Sequence, residues 1–367
     1  MSVQVSYKKQ TVLGIMLLLV IVSSVEIISR VALDQLDSCN QSLPMSGLYE
    51  NLSTNDLKKI CQDYKSIIQY PLPTVHFEPN QKTDTVTTNS HGFRGEEFDK
   101  EKTSDKEYRI FMVGGSTMFG IYATSDNTTI PGYLQEFYDG FSTDRDIRVI
   151  NAGVNGHSSF DETHLIKNKI VSLQPDLVIV YDGWNDLGGP MRTEYKKLGE
   201  MEYLEQYSIV IRKYYKTIDF YEFVQRVWEK QIGEKKLERD NSMMEQKPIL
   251  WESRWKEICE LGEKENFDVI ITLQPLLGGG EKALTDWELR NVKELSHLNP
   301  ISSYEPMKNK LNALQSSCAG TEDLTNIFDG QTDLIYFDVG HMGDKGNKII
   351  AQKMFDISSS FILNKHL

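Results

Sequence analysis

Apolar and polar positions fall along this chain in blocks whose lengths predict most of its elements. The longest apolar block comes first: residues 11–25 read TVLGIMLLLVIVSSV, and the pattern continues less purely to Leu33. The whole stretch reaches the roughly 20 residues that cross a bilayer as a helix. Residues 34–70 are polar and mixed, with a short helix expected over 54–68 that Pro71-Leu72-Pro73 breaks. Residues 82–90 are Thr-rich and extended, and HGFRGEEF (91–98) follows as an ordered turn. Arg94 reads there as the partner in a surface salt bridge.

Beyond residue 100 short apolar runs alternate with stretches of helical spacing. Ile110, Phe111, Met112 and Val113 end abruptly at Gly114-Gly115 and read as a buried strand. Residues 130–138 are helical in pattern, and DIRVINAG (146–153) is a second strand. Leu165, Ile166, Ile170 and Leu173 mark a helix over 160–173, which Pro175 stops, and DLVIVY (176–181) is a third strand. After an interruption come a helix over 251–265, a fourth strand FDVIITL (267–273), a helix over 307–317 and a fifth strand DLIYF (333–337). The last helix starts near Asp344 and carries the stripe Ile350, Met354, Ile357 and Phe361. This rhythm predicts an α/β fold with a parallel sheet and helices on both faces.

The interruption, residues 188–250, is rich in charge and tyrosine. Ile211, Tyr214, Ile218, Tyr221, Val224 and Trp228 recur at helical steps, a packing face or else a lid beside the site. Residues 234–245 read as a mobile loop, and residues 277–280 as a flexible loop bordering the site.

Composition narrows the function. The net charge of −13 over 367 residues excludes general nucleic-acid binding, which needs a basic surface. Lys8 and Lys9 precede the apolar block and place the N-terminus in the cytoplasm, with the remainder outside or in a lumen. Glu26 and Arg30, four apart, suit the far interface. A secretory signal peptide opens in the same way, but without a convincing small-x-small cleavage site the reading is an uncleaved signal anchor. Three N-x-S/T triplets, at Asn40, Asn51 and Asn127, fit an extracytoplasmic domain. Cys39, Cys61, Cys259 and Cys318 form no C-x-x-C pair, so a zinc ribbon is not expected. Disulfides Cys39–Cys61 and Cys259–Cys318 and four buried thiols are both open readings. The expected organisation is a cytoplasmic tail (1–10), a transmembrane anchor (11–33), a juxtamembrane lead-in (34–100) and a catalytic-type domain (101–367) with the helical insert 188–250.

Four loops, each after a predicted strand, carry the candidate chemistry: 114–117, 153–157, 183–186 and 338–341. In a parallel sheet they share the carboxyl edge, where ligands bind. They offer a hydroxyl at the amino end of an expected helix, a glycine N–H, an asparagine amide, and a histidine three residues after an aspartate. Acyl transfer needs such a set: nucleophile, general base, a group that orients the base, and oxyanion donors.

These four blocks, in this order, resemble the SGNH (GDSL-type) hydrolase superfamily. The resemblance covers about residues 108–363. VGGST makes Ser116 the nucleophile, NAGVNG puts the oxyanion glycine at Gly156, GWND makes Asn185 the side-chain oxyanion donor, and D-x-x-H matches Asp338 and His341. It implies a three-layer α/β/α flavodoxin-like fold with a five-stranded parallel sheet, and a Ser-His-Asp esterase acting on acylated glycans or lipids. HGFRG is similar to a lead-in of some members. One position departs from the pattern: Gly115 stands where the family usually has the Asp of Gly-Asp-Ser, which helps to hold the serine loop, although some branches carry a similar glycine. Asp186 reads as structural, and His157 and His164 as packed or solvated. No H-E-x-x-H, P-loop or dinucleotide glycine pattern occurs, so no metal or nucleotide cofactor is implied. An O-acetyltransferase using the same site and a non-catalytic binding module are the rival readings.

Overall fold

The computed structural model describes residues 6–36, 39, 47–70, 76–188, 223–224, 241–295 and 300–364. The chain divides into two compact units, residues 1–42 with 196–238, and residues 43–195 with 239–367. In the first unit the apolar block forms one helix, Tyr7–Leu36. Its stretch Tyr7–Leu33 is 27 residues long with a mean hydropathy of 2.5, long and apolar enough to cross a membrane. Most of the amphipathic pattern expected over 211–228 lies outside the described residues.

The second unit is built on a five-stranded, wholly parallel sheet. Its strands are β3 (Glu107–Gly114), β4 (Asp146–Gly153), β5 (Leu177–Asp182), β6 (Asp268–Leu273) and β7 (Gly320–Asp323), in the order β4-β3-β5-β6-β7. A short antiparallel pair precedes them, β1 (Gln69–Tyr70) with β2 (His76–Phe77). With β3 counted first, the sheet order is 2-1-3-4-5, the flavodoxin-like order expected. Every residue of β3 and β5 is buried. That explains their continuous apolar runs, since parallel strands covered on both faces have no solvent side to mark. Period-2 alternation sends Phe111 and Val113 into one core and Ile110 and Met112 into the other. Trp251, Trp255 and Met307 cover the first face, while Leu134, Ile350 and Met354 cover the second.

The fifth strand is a correction. Residues 333–337 do not join the sheet; GTED (320–323) does, pairing with β6 alone. Ile335 and Tyr336 are buried at 0% and 2% exposure, which accounts for their apolar character. Their backbone N–H groups are satisfied instead by the Glu288 carboxylate, at 3.2 and 3.1 Å. A buried stretch needs backbone partners, and a side chain can supply them as well as a strand.

Three smaller differences concern helices and one loop. The expected helix 160–173 is an α-helix over Ser159–Leu165, a wider π turn over Ile166–Ile170 and a 3-10 turn over Val171–Leu173. Ile166 and Ile170 are both fully buried across that π turn. The helix expected from 251 begins at Asn241, so part of the predicted mobile loop is helical, and Pro248 lies inside it. Proline removes one helical hydrogen bond, but the next turns are anchored by fully buried Trp251 and Trp255. Residues 277–280 are not uniformly loose: Leu277 is 2% exposed and its N–H donates to Val339 O at 2.8 Å.

From residue 43 on, the lead-in is part of this unit. A capping box starts its helix Thr54–Ser66, with Ser53 Oγ accepting from Asp56 N and Asp56 returning the bond. Phe77, Val86, Phe93 and Phe98 pack in the same core cluster as Phe111 and Phe119. Cys259 and Cys318 form a disulfide. Cys39 and Cys61 are also in disulfide form, so the open choice between disulfides and thiols resolves to disulfides.

Candidate active site

β3 ends at Gly114, and Ser116 opens the short helix Ser116–Phe119. As its first residue, Ser116 has a backbone N–H with no intrahelical acceptor. The other end of the turn is clamped from the lead-in. Arg94 donates from Nη1 to Phe119 O and Gly120 O at 3.0 and 2.9 Å, and from Nε to Asp126 at 2.7 Å. Its guanidinium also lies 4.9 Å from the Phe119 ring centroid. Arg94 is only 3% exposed, which corrects its reading as a surface salt-bridge residue. A single sequence carries no mark of such burial beyond the glycines beside Phe93-Arg94. Arg94→Ala is expected to cost about 3–5 kcal/mol, because Asp126 and several carbonyls lose a shared donor. Arg94→Lys should recover only part, since one ammonium cannot reproduce the planar fork. Urea unfolding midpoints of the three proteins check this.

The histidine loop is a tight reversal. Phe337 N donates to His341 O at 2.8 Å and Gly343 N donates to Ile335 O at 3.2 Å, which puts residues 338–341 at the tip. Asp338 Oδ1 accepts from the backbone N–H of Gly340 and of His341, at 3.0 and 2.8 Å. The same carboxylate meets His341 Nδ1 at 2.8–2.9 Å. Across the ring, His341 Nε2 lies 2.7 Å from Ser116 Oγ. The chain Asp338–His341–Ser116 is therefore continuous. Burial pushes the Asp338 carboxyl up, but the His341 charge and the hydrogen bonds from His341 and Gly340 outweigh it, holding the group below its ordinary value.

The second and third loops meet beside Ser116. β4 pairs with β3 through Gly114↔Gly153, and Val154 N donates to Gly114 O at 2.9 Å. Gly156 has φ +76°, a conformation that favours glycine, and nothing stands within 4 Å of where a Cβ would be. Asn185 donates from Nδ2 to His157 O at 2.6 Å, joining the two loops. An amide carries two N–H donors, so one remains. A Cβ on Gly115 would lie 2.4 Å from Asn185 Nδ2. The space that a side chain at position 115 would fill therefore holds the asparagine amide. His157 is packed, at 1% exposure.

Asp186 faces a buried polar cluster. Its carboxylate accepts from Ser159 N at 2.8 Å and Ser159 Oγ at 2.5 Å, with Arg254 at 3.5 Å. Asp182 accepts from Trp251 Nε1 at 2.9 Å. Burial pushes Asp182 up, and the neighbouring Asp186 carboxyl pushes it further. Glu162 is fully buried, and neither carboxyl oxygen has a partner among the described residues. Burial, followed by the charges of Asp182 and Asp186, drives its pKa well upward. Asp186 directly follows Asn185 in the short helix Trp184–Gly188. Among the described residues no group of three or more His, Cys, Asp or Glu is arranged to hold a metal ion.

No protein-family profile and no curated protein matches this chain. Several solved structures are similar to it. Axe2, an acetylxylan esterase from Geobacillus stearothermophilus, is 15% identical over 68% of this chain and 93% of its own, with a TM-score of 0.36. TesA is 12% identical over 68% and 97%, with a TM-score of 0.39. LAE5, an alpha/beta hydrolase enzyme from the metagenome of Lake Arreo, Spain, is 14% identical over 69% and 95%, with a TM-score of 0.41.

Proposed function

We propose that this chain is a membrane-anchored serine esterase of SGNH type, acting on O-acyl esters of extracytoplasmic glycans or lipids. One observation carries the reading: the unbroken contact from Asp338 through His341 to Ser116 Oγ, at 2.8 and 2.7 Å. His341 Nε2 takes the Ser116 proton as Oγ attacks the ester carbonyl. Asp338 holds the Nδ1–H and supports the imidazolium charge. The N–H groups of Ser116 and Gly156 and the Asn185 amide receive the oxyanion. His341 then gives its proton to the departing alcohol, and water, deprotonated by the same histidine, releases the acid from the acyl-enzyme.

The proposed location rests on separate observations. The Tyr7–Leu33 stretch suits a single crossing, with Lys8 and Lys9 kept in the cytoplasm. Disulfide-bonded cysteines suit an oxidising compartment. Asn51 and Asn127, in two of the N-x-S/T triplets, are exposed.

Hydrolysis of p-nitrophenyl esters of increasing chain length by the full chain in detergent tests the reading. Ser116-dependent turnover is expected, with the length profile defining the acyl pocket; equal rates for wild type and Ser116→Ala would remove it. A pH effect on stability follows as well. The depressed Asp338 carboxyl contributes stability that is fully present above its ordinary value of 3.8 and is lost as pH falls through the lower folded value. The stability advantage of wild type over Asp338→Asn, read from urea unfolding, is expected to shrink as pH falls through that window.

A further inference from the structure

We infer that the lead-in segment builds the alcohol-side subsite, with Tyr64 and Tyr122 forming a wall shaped for a pyranose ring. The inference rests on the esterase reading and deepens it.

Geometry on the histidine side of Ser116 is the starting point. His341 must pass a proton to the departing alcohol, so the alcohol lies on that side and the oxyanion donors on the other. What stands beside His341 is aromatic. The Tyr122 ring meets the His341 ring edge-on, with centroids 5.9 Å apart at 83°. Behind it, Tyr122 packs on Phe337 at 4.3 Å, and Phe337 packs on Trp287 at 5.9 Å. Tyr64, from the lead-in helix Thr54–Ser66, extends the row and meets Tyr122 edge-on at 5.9 Å.

Tyr122 holds its place against its own backbone preference. Its φ is +70°, a region that bulky side chains rarely adopt. A conformation of this kind persists only where the surroundings enforce it, and such places cluster at functional sites. Here the Tyr49 hydroxyl, also from the lead-in, lies 2.6 Å from Tyr122 O and accepts from Asp344 N at 3.1 Å. Asp344 in turn accepts from Thr124 N and Thr124 Oγ1, at 3.0 and 2.5 Å. The backbone on both sides of the Tyr122 ring is thereby fixed.

The chemistry of the wall selects the ligand class. Tyr64 and Tyr122 pack against the core cluster but are each only half-buried. Neither hydroxyl has a hydrogen-bond partner among the described residues, and neither is a buried orphan. Half-buried aromatic side chains whose hydroxyls have no partner among the described residues match a pyranose, which has an apolar C–H face and a rim of hydroxyls. An alkyl alcohol would leave those hydroxyls unused.

The test compares substrates within each enzyme sample, so the folded fraction cancels. Acid release by the full chain in detergent is measured for a methyl mono-O-acetylglucopyranoside and for ethyl acetate. Wild type is expected to favour the pyranoside in kcat/KM. Tyr64→Ala should lower the pyranoside-to-ethyl ratio by about tenfold, the scale of one lost aromatic contact. Tyr64→Phe keeps the ring and should fall between the two. Turnover of both esters with an unchanged ratio in Tyr64→Ala would overturn the subsite and leave the esterase reading standing. With benzyl acetate measured as a third ester, a drop in its rate relative to ethyl acetate in Tyr64→Ala, without a drop for the pyranoside, would overturn the sugar assignment. No Ser116-dependent release from any ester would remove the esterase reading and this inference together.

Discussion

Ser116→Ala is expected to abolish ester hydrolysis, with a loss on the order of a million-fold in kcat. The size follows from the continuity of the contacts. Ser116 Oγ, His341 Nε2 and the Asp338 carboxylate form one hydrogen-bonded chain, so removing a member disables the others. His341→Ala should therefore cost about as much, and the double variant little more, because residues acting as a unit are not additive. Asp338→Asn should cost about ten-thousand-fold, since it favours the wrong histidine tautomer while keeping the shape. Steady-state kinetics on p-nitrophenyl acetate, on variants with the unfolding midpoint of wild type, check all four.

The second large effect concerns Gly115 and Asn185. Asn185→Ala is expected to lower kcat by about 100- to 1,000-fold, the usual cost of one oxyanion donor. Gly115→Ala should do nearly the same without touching Asn185 chemically. The added Cβ would fall 2.4 Å from Asn185 Nδ2 and 3.3 Å from His157 O, the carbonyl that holds this amide. The side chain must then swing away from the site. If displacement is the whole effect, the double variant is no slower than Asn185→Ala. Additive losses would instead mean that Gly115 acts through the serine loop itself. Gly115→Asp is expected to lower activity for the same steric reason.

The contrast at Gly115 shows what a single sequence can and cannot convey. Ser116, Gly156, Asn185, Asp338 and His341 stand out in the sequence as candidates because each lies just after an apolar run or in a compact motif. The structure brings Ser116, Asp338 and His341 into direct contact and ties Asn185 to the carbonyl next to Gly156. The replacement at Gly115 was legible only as a loss, because the asparagine filling the space comes from the third loop. Arg94 and Tyr64 were illegible for a related reason. Their environments are made by residues far along the chain, Asp126 and Phe119 for one and Tyr122 for the other.

The fold follows the same logic. β3 and β5 are buried along their whole length, and their apolar runs marked them with little ambiguity. β7 is a four-residue strand, GTED, paired on one side and only partly covered, so nothing in its composition distinguishes it from a loop. Ile335, Tyr336 and Phe337 give residues 333–337 the composition of a strand because these three are buried, yet Glu288 answers two of the backbone donors. Burial writes itself into composition; the identity of the backbone's partner does not.

The most direct test of the central claim is covalent labelling of the full chain in detergent with a fluorophosphonate, followed by peptide mass mapping. The account predicts one adduct, on Ser116, formed by wild type and lost in His341→Ala, because the serine reacts only when Nε2 removes its proton. An unlabelled Ser116, or labelling that persists unchanged without His341, would contradict it.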